Sequence, residues 1–199
     1  MRITGGGLAG RRAALPPGVI RPAMDRMRES VFGVLGGISG KSFLDLFSGS
    51  GIIALEAASR GAAYVEAVEQ DKKKSRTLIQ NTQIARPQRI FCRFIACELY
   101  VQRAKRRFDI IFCDPPFPYA FKSSLIESIA ASPLMRPLPA AAGSPPSSDT
   151  LDNAAETAPS RLLLHRPREE KIAYPRRLRL SDRREYGRSI VDFLEYAAD

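Results

Sequence analysis

In the segment FDIIFCDPPF, an apolar run is followed by four residues that can do chemistry: Asp114, Pro115, Pro116 and Phe117. Each proline fixes φ and has no N–H, which leaves the carbonyl oxygens of the turn free to accept hydrogen bonds from a ligand. Asp114 adds a carboxylate, and Phe117 adds an aromatic face for an unstacked nucleobase. Such a turn can bind the two N–H donors of an exocyclic amino group and aim its nitrogen at a methyl donor, mainly by positioning and by stabilising positive charge.

A second motif, DLFSGSG, is typical of a loop that joins a strand to a helix. Gly49 and Gly51 let the backbone pass close to a ligand, and the N–H groups of a helix starting near Ile52 point toward it. The spacing matches neither GxGxxG nor the GxxxxGK phosphate loop, which argues against a dinucleotide or ATP. We expect a different nucleotide-containing cofactor here.

Glu69 is the candidate ribose ligand of that cofactor. It ends the run AYVEAVE, eighteen residues after Gly51, and a carboxylate at the tip of a second strand can accept hydrogen bonds from both ribose hydroxyls. Gln70 is a weaker candidate for the same contact. Asp71 precedes the polar segment KKKSRTLIQNTQIA and is better explained as the cap of a helix.

Apolar runs alternate with helical patterns along the first two thirds of the chain. The expected strands are SFLDLF, AYVEAVE, RIFCRFIA and FDIIFC, and a helix is expected earlier, from about Met24 to Leu35. This alternation predicts an α/β fold with a mostly parallel sheet and helices on both faces. Because ligands bind at the carboxyl ends of such strands, the glycine loop and the DPPF turn should meet at one edge.

The two ends of the chain predict different arrangements. RLLLH is expected to be a fifth strand, and LRLSDRREYGRSIVDFLEYA is expected to form an antiparallel hairpin at the sheet edge, with its turn at Asp182–Tyr186. Residues 1–20 are Gly-rich and basic and predict an N-terminal arm or small hairpin, and residues 21–199 form the main domain. Residues 136–160, rich in Pro, Ala and Ser, predict a flexible insertion in it.

The chain is strongly basic, with 31 Lys and Arg against 21 Asp and Glu and a formal net charge of +10. This excess predicts a polyanionic partner, because basic side chains bind phosphates and release counterions. Basic residues cluster at the start, in the middle (86–107) and at the end (176–188) of the chain. The expected RNA-binding residues belong to the first cluster and are Arg2, Arg11, Arg12, Arg21, Arg26 and Arg28.

Cysteine and histidine usage argues against two classes of site. Cys92, Cys97 and Cys113 form no CxxC pair, and His165 is the single histidine, so neither a disulfide framework nor a metal site is expected. We expect structural roles for these side chains and a reducing cytoplasm for the protein. No apolar run approaches the length of a membrane span, and we expect no secretory signal.

Several segments together resemble one enzyme family. They are RITGG with the following GRR, RPAMDRMRESVF, DLFSGSGIIALEAASRGA with VEQD, FDIIFCDPPF and the closing REYGRSIVDFLEY. These segments resemble the RsmD-type family, the bacterial guanine-N2 methyltransferases of small-subunit ribosomal RNA, and they cover most of the chain outside residues 136–160. The resemblance implies a Rossmann-like class I fold with S-adenosyl-L-methionine as methyl donor.

The resemblance also implies a set of site residues. The cofactor-binding residues are Asp45, Phe47, Ser48, Gly49, Gly51, Glu69, Gln70 and Cys97. The catalytic loop is Asp114, Pro115, Pro116 and Phe117, and Arg21, Asp25, Arg28 and Glu29 lie over the site. Two positions depart from the family pattern. Ala23 replaces the threonine of RPT. Ala96 stands where a polar residue often contacts adenine, which implies either weaker cofactor binding or a shift of that contact to the N–H of Cys97.

We therefore expect methyl transfer from S-adenosyl-L-methionine to the N2 amino group of a guanine in 16S ribosomal RNA, within a partly assembled small subunit and by a monomer. A DNA or RNA adenine-N6 methyltransferase uses the same catalytic logic, but the DNA enzymes commonly carry a target-recognition domain that 199 residues leave no room for. A catalytically lapsed RNA-binding homologue is opposed by the intact DPPF turn. A small-molecule methyltransferase leaves the basic charge unexplained.

Overall fold

The structure is a computed structural model, and it describes residues 1–16, 24–135 and 159–197. Arg21 and Ala23 lie outside the described residues, as does most of the expected insertion at 136–160.

A seven-stranded sheet forms the centre of the fold, with the strand order β3-β2-β1-β4-β5-β7-β6. The strands are β1 (Ser42–Leu46), β2 (Tyr64–Val68), β3 (Ile90–Arg93), β4 (Ile110–Cys113), β5 (Arg161–Pro167), β6 (Leu178–Tyr186) and β7 (Ser189–Tyr196). Strands β1 to β5 are parallel, whereas β7 is antiparallel to both β5 and β6. The predicted mostly parallel sheet with an antiparallel C-terminal edge is confirmed.

Helices pack on both faces of this sheet. In the described chain they are α1 (Asp25–Leu35), α2 (Ile52–Ser59), α3 (Lys72–Thr82), α4 (Cys97–Arg103) and α5 (Lys122–Ala131), with a 3₁₀ turn at Gln83–Ala85. Helices α1 to α3 share one core with Phe43, and α4 and α5 share the other with Leu44 and Leu46. Alternate residues of β1 thus enter opposite cores, which is why this strand is apolar on both faces. Asp71 caps α3 as predicted, accepting from the N–H of Lys73 at 2.9 Å.

The C-terminal hairpin turns later than predicted. β6 continues through Asp182–Tyr186, the segment expected to be the turn, and the chain reverses at Gly187 and Arg188. Gly187 has a φ of 61°, which glycine adopts without strain. The polar run SDRREY resembles a loop in sequence because β6 is an edge strand whose side chains are mostly exposed. A β-bulge between Leu180 and Asp182 also interrupts the alternation of inward and outward side chains along this strand.

The first residues form a short hairpin that packs against the C-terminal end of α2. Arg2 and Arg12 form an antiparallel bridge, and Ile3 between them in sequence is fully buried in the core of α1 to α3. The N–H of Gly7 donates to the carbonyl of Ser59 at 2.8 Å, and the N–H of Leu8 donates to its hydroxyl at 2.9 Å. This N-terminal hairpin (residues 1–14) is therefore built into the fold.

Glu56 of α2 joins the N-terminal hairpin, α1 and α2 from a fully buried position. Its Oε1 accepts from Nε of Arg28 at 2.9 Å and from the N–H of Thr4 at 2.8 Å, and its Oε2 is paired with Arg60. Arg28 is also fully buried and contacts Asp25 at 2.7 Å. The prediction that Arg28 binds RNA is wrong, because its guanidinium is enclosed and paired with two carboxylates.

Replacing Glu56 by Ala should strongly destabilise the fold. The change leaves the guanidinium of Arg28 buried without its main partner, and breaking a buried ion pair in this way costs about 3–5 kcal/mol. Urea unfolding followed by circular dichroism measures this free energy. Glu127→Ala, which removes an exposed carboxylate from α5, is the control and should leave the midpoint unchanged. Equal midpoints for the two variants would contradict the role of Glu56.

Candidate functional site

A cavity of about 870 Å³ opens at the carboxyl ends of β1, β2, β4 and β5. It lies where the strand order reverses between β1 and β4, which is where open parallel sheets bind ligands. Its walls are formed by Asp45, Phe47, Ser48, Gly49, Ser50, Ile52, Ile53, Glu69, Gln70, Asp71, Lys74, Asp114, Pro115, Pro116, Phe117, Pro118 and His165. The walls include every residue of the predicted catalytic loop and all of the predicted cofactor-binding residues except Gly51 and Cys97.

The glycine loop after β1 has an unusual backbone. Gly49 and Gly51 have φ values of 57° and 79°, and Phe47 has a φ of 61°, which is costly for a residue with a side chain. A Cβ on Gly51 would lie 2.6 Å from Cδ1 of Leu78. The absence of a side chain at Gly51 thus lets α3 pack closely against the glycine loop. Ile52, the first residue of α2, lines the cavity, so the N-terminus of this helix lies at the cavity wall.

Asp45 lies fully buried below the glycine loop. Its Oδ2 accepts from the hydroxyl of Ser48 at 2.5 Å and from the N–H of Ala54 at 3.2 Å. Burial raises the pKa of Asp45 to about 7; the hydrogen bonds from Ser48 and Ala54 oppose this shift, and the charges of Asp114 and Glu69 add to it. The cavity therefore contains a carboxyl group that gains or loses its proton near neutral pH.

Glu69 links the loops that follow β1 and β2. Its side chain is buried, and each oxygen accepts a backbone N–H at 2.8 Å, Oε2 from Gly49 and Oε1 from Asp71. Lys74 lies 3.7 Å from Oε2. A carboxylate oxygen can accept two hydrogen bonds, so each oxygen of Glu69 retains one lone pair for a ligand hydroxyl.

Asp114 meets His165 in the cavity wall. β4 and β5 pair in register with Cys113 opposite Leu164, so the next residues are neighbours, and Nδ1 of His165 lies 2.8 Å from Oδ1 of Asp114. The ring of Phe117 meets the imidazole edge-on, with 5.6 Å between ring centroids. No local pattern identifies this contact, because the two residues are 51 positions apart in the chain. The available signal was the place of His165 at the end of the apolar run RLLLH.

Lys122, the first residue of α5, holds the DPPF turn from behind. Although it is buried, its Nζ donates to the carbonyls of Phe117 at 2.8 Å and Tyr119 at 2.6 Å and is ion-paired with Glu170 at 3.1 Å. The N–H of Tyr119 donates to the carbonyl of Pro116 at 2.8 Å. The turn is thus fixed by hydrogen bonds on its own carbonyls, and nothing in the sequence pattern identified Lys122.

Cys97 and Cys113 are buried on the side of the sheet that carries α4 and α5. Cys97 begins α4, after Ala96, which provides no side-chain cap. Burial raises the pKa of both thiols well above their ordinary value. The contact of a cofactor with the N–H of Cys97 stays a prediction. Within residues 1–16, 24–135 and 159–197, no group of His, Cys, Asp and Glu is arranged to hold a metal ion.

The other described arginines of the first basic cluster are exposed: Arg2, Arg11, Arg12 and Arg26. Asn81 of α3 ties the N-terminal hairpin to the cavity rim, because its Nδ2 donates to the carbonyl of Ala14 at 2.9 Å and to that of Ser50 at 2.8 Å. Arg2 pairs with Asp25 at 3.3 Å yet its side chain remains 57% exposed. The N-terminal hairpin therefore carries exposed cations and is joined at Ala14 to the cavity rim.

Sequence comparison finds relatives over the whole chain. A family model described as conserved hypothetical protein 95 matches residues 1–142. The ribosomal RNA small subunit methyltransferase D of Escherichia coli K12 is 31% identical over 195 residues, which cover 96% of this chain and 94% of that protein. A tRNA1(Val) (adenine(37)-N6)-methyltransferase of Shewanella halifaxensis is 35% identical over 84 residues, which cover 40% of this chain and 33% of that protein.

Solved structures match the fold equally broadly. The structure described as methyltransferase yhhF of Escherichia coli has a TM-score of 0.79 at 24% identity, covering 100% of this chain and 99% of that one. A hypothetical protein of Thermus thermophilus has a TM-score of 0.75 at 26% identity, covering 97% and 98%. The likeness in fold therefore extends over the full length of each chain.

Lys122→Met should loosen the DPPF turn and lower the stability of the protein. Met keeps the length of the side chain but removes the ammonium group that donates to two carbonyls, and a hydrogen bond to a charged group contributes about 1.5–3 kcal/mol. Hydrogen exchange of a peptide spanning residues 114–122 should become faster, together with a lower melting temperature. Lys73→Met, at an exposed position of α3, is the control. Unchanged exchange in this peptide would show that Lys122 does not hold the turn.

Proposed function

This chain belongs to the RsmD-type family of ribosomal RNA small subunit methyltransferases, and we propose on that premise that it methylates the exocyclic N2 amino group of a guanine in 16S ribosomal RNA. Its family and its class I fold make it a methyltransferase that uses a donor of the S-adenosyl-L-methionine type. The observation that carries the proposal is that the Asp114–Phe117 turn and Glu69 face one cavity.

The donor fits the wall made by the glycine loop and Glu69. Each oxygen of Glu69 has a lone pair left for a ribose hydroxyl, and the N-terminus of α2 favours a carboxylate such as that of methionine. Asp45 and Ser48 face the same part of the cavity and suit the cationic end of the donor. When bound, the donor supplies an electrophilic sulfonium methyl group.

The acceptor base fits the opposite wall. In the proposed complex Phe117 stacks on the guanine, and the carboxylate of Asp114 and the carbonyl of Pro115 accept the two N–H donors of its N2 amino group. These contacts turn the nitrogen lone pair toward the methyl carbon. The donor would supply the methyl group and depart as the neutral thioether. Asp114 would stabilise the positive charge that develops on the nitrogen as it gains the methyl group, and one N–H proton would then pass to solvent water.

Adenine N6 is the second candidate acceptor, because a turn of this composition serves any exocyclic amino group. The tRNA relative from Shewanella halifaxensis has that named activity, but it matches only 40% of this chain. The small-subunit relative from Escherichia coli matches 96%. Likeness over the whole length, including the basic N-terminal hairpin and the C-terminal strands, favours the guanine of small-subunit RNA.

We further propose a partly assembled small subunit as the partner and a monomer as the active form. A shallow basic face cannot select one base from free RNA by itself, and a folded particle supplies shape as well as sequence. Such a substrate places the reaction in the cytoplasm. Among the described residues, no helix is long and apolar enough to cross a membrane.

Transfer of labelled methyl from S-adenosyl-L-methionine to small ribosomal subunits that lack base methylation tests the proposed function. Nucleoside analysis of the product should give N2-methylguanosine in the RNA. N6-methyladenosine in RNA or DNA, without labelled guanosine, would support the second candidate instead. Donor binding without label in any nucleic acid would refute methylation and leave the lapsed homologue.

Asp114→Ala should abolish methyl transfer and leave donor binding intact. The carboxylate contacts the acceptor nitrogen in the proposed complex, so its loss removes stabilisation of the transition state and should slow transfer by at least about a hundredfold. Single-turnover transfer and calorimetric binding of the donor measure the two effects separately. Loss of donor binding with a normal transfer rate would contradict the assigned role.

Arg11→Ala combined with Arg12→Ala should weaken RNA binding and flatten its dependence on salt. Loss of two phosphate contacts should reduce the slope of log affinity against log salt by about 1.5. Fluorescence anisotropy with a labelled small-subunit RNA fragment measures this slope. The double variant Lys105→Ala and Arg107→Ala removes two exposed cations at the amino end of β4, away from the cavity, and should keep the original slope. Equal slopes for both variants would remove the N-terminal hairpin from the RNA-binding face.

Donor affinity should rise with pH between about pH 6 and 8, because donor binding ionises Asp45. The pKa of Asp45 in the free protein is raised from 3.8 to about 7, so the group is protonated below neutrality, and a cationic ligand favours its ionised form. Calorimetry in buffers of different ionisation enthalpy should show proton release on binding. The Asp45→Asn variant should keep only the part of the pH dependence that comes from titration of the donor itself. It should lose the part that comes from Asp45. The same pH dependence in Asp45→Asn would exclude Asp45 as its source.

A further inference from the structure

We propose that His165 is a positioning residue for methyl transfer, which fixes the carboxylate of Asp114 beside the ring of Phe117. This inference rests on the proposed function, and it adds a residue from β5 to a catalytic loop that otherwise belongs to β4. His165 lines the same cavity as the DPPF turn.

The sheet brings these two side chains together. Cys113 and Leu164 are paired in the parallel register of β4 and β5, and one residue further on Nδ1 of His165 lies 2.8 Å from Oδ1 of Asp114. An ionised carboxylate only accepts hydrogen bonds. With Asp114 ionised, Nδ1 therefore carries the proton, and the hydrogen bond holds one carboxylate oxygen in place.

The second ring nitrogen indicates that core packing does not determine the position of the imidazole. Nε2 of His165 is buried and has no hydrogen-bond partner within the described part of the chain. A buried polar side chain that serves packing alone has its polar atoms satisfied in most proteins. Here the hydrogen bond to Asp114 and the edge contact with Phe117 determine where the ring lies.

The consequence for catalysis is geometric. With Oδ1 of Asp114 bound to His165, the carboxylate cannot rotate freely, and Oδ2 is left to accept an N–H of the base. The same imidazole borders Phe117, so the group that binds the amino hydrogens and the ring that stacks on the base keep a fixed relation. Small errors in such positioning cost about a hundredfold in rate.

Two variants separate the hydrogen bond from the packing. His165→Phe keeps a ring beside Phe117 but has no donor, whereas His165→Asn places an amide N–H near the position of Nδ1. His165→Phe should lower kcat by about tenfold to a hundredfold with donor Kd and RNA affinity unchanged. His165→Asn should restore kcat to within a few-fold of the unmodified enzyme, and both variants should melt cooperatively.

The outcomes distinguish this inference from the proposed function. If the unmodified protein produces no methylated guanosine, the proposed function fails before His165 is tested. If it does, a normal kcat in His165→Phe overturns the positioning role. An equal loss of kcat in both variants also overturns it, because the restored N–H then has no effect. A loss in His165→Phe that appears only in KM assigns the residue to substrate binding and likewise refutes the proposal.

Discussion

The in-register parallel pairing of β1, β4 and β5 determines where the glycine loop, the DPPF turn and His165 lie. Leu46 stands opposite Cys113, and Cys113 stands opposite Leu164, so all three lie at one level of the sheet. The N–H of Asp114 donates to the carbonyl of Leu46 at 3.2 Å and extends this pairing into the turn. A slip of one residue would send each of these side chains to the opposite face.

Three of the carboxyl groups that line the cavity, those of Asp45, Glu69 and Asp114, have different environments. Burial favours the protonated form of Asp45 and raises its pKa to about 7. Two backbone N–H groups satisfy Glu69. Asp114 remains partly exposed and contacts His165. Three unshielded anions at one site would repel one another, and these separate environments suit separate tasks. The first two carboxyl groups face the donor side of the proposed complex, and the third faces the acceptor.

The basic charge of the chain divides into an internal and an external part. Arg28 is enclosed between Glu56 and Asp25, where it joins α1, α2 and the N-terminal hairpin. Arg11 and Arg12 are exposed on that hairpin, which Asn81 ties to the rim of the cavity. The hairpin is therefore both a structural element and a carrier of exposed cations.

The α/β architecture, the meeting of DLFSGSG and DPPF at one edge, and the cap at Asp71 could all be predicted from the sequence. These follow from local rules, because apolar runs, glycines and capping residues act within a few positions of themselves. The turn at Gly187 was misplaced for the converse reason, since a polar edge strand and a loop have the same composition.

The packing of the elements was needed to show which charged residues are internal and which partners His165 and Lys122 have. The contact between Asp114 and His165 joins residues 51 positions apart, and the pair of Arg28 with Glu56 joins residues 28 positions apart. Neither His165 nor Arg28 lies in a local sequence pattern that identifies its partner. Burial and pairing depend on how strands and helices pack, and the number of charges in a sequence carries no information about that packing.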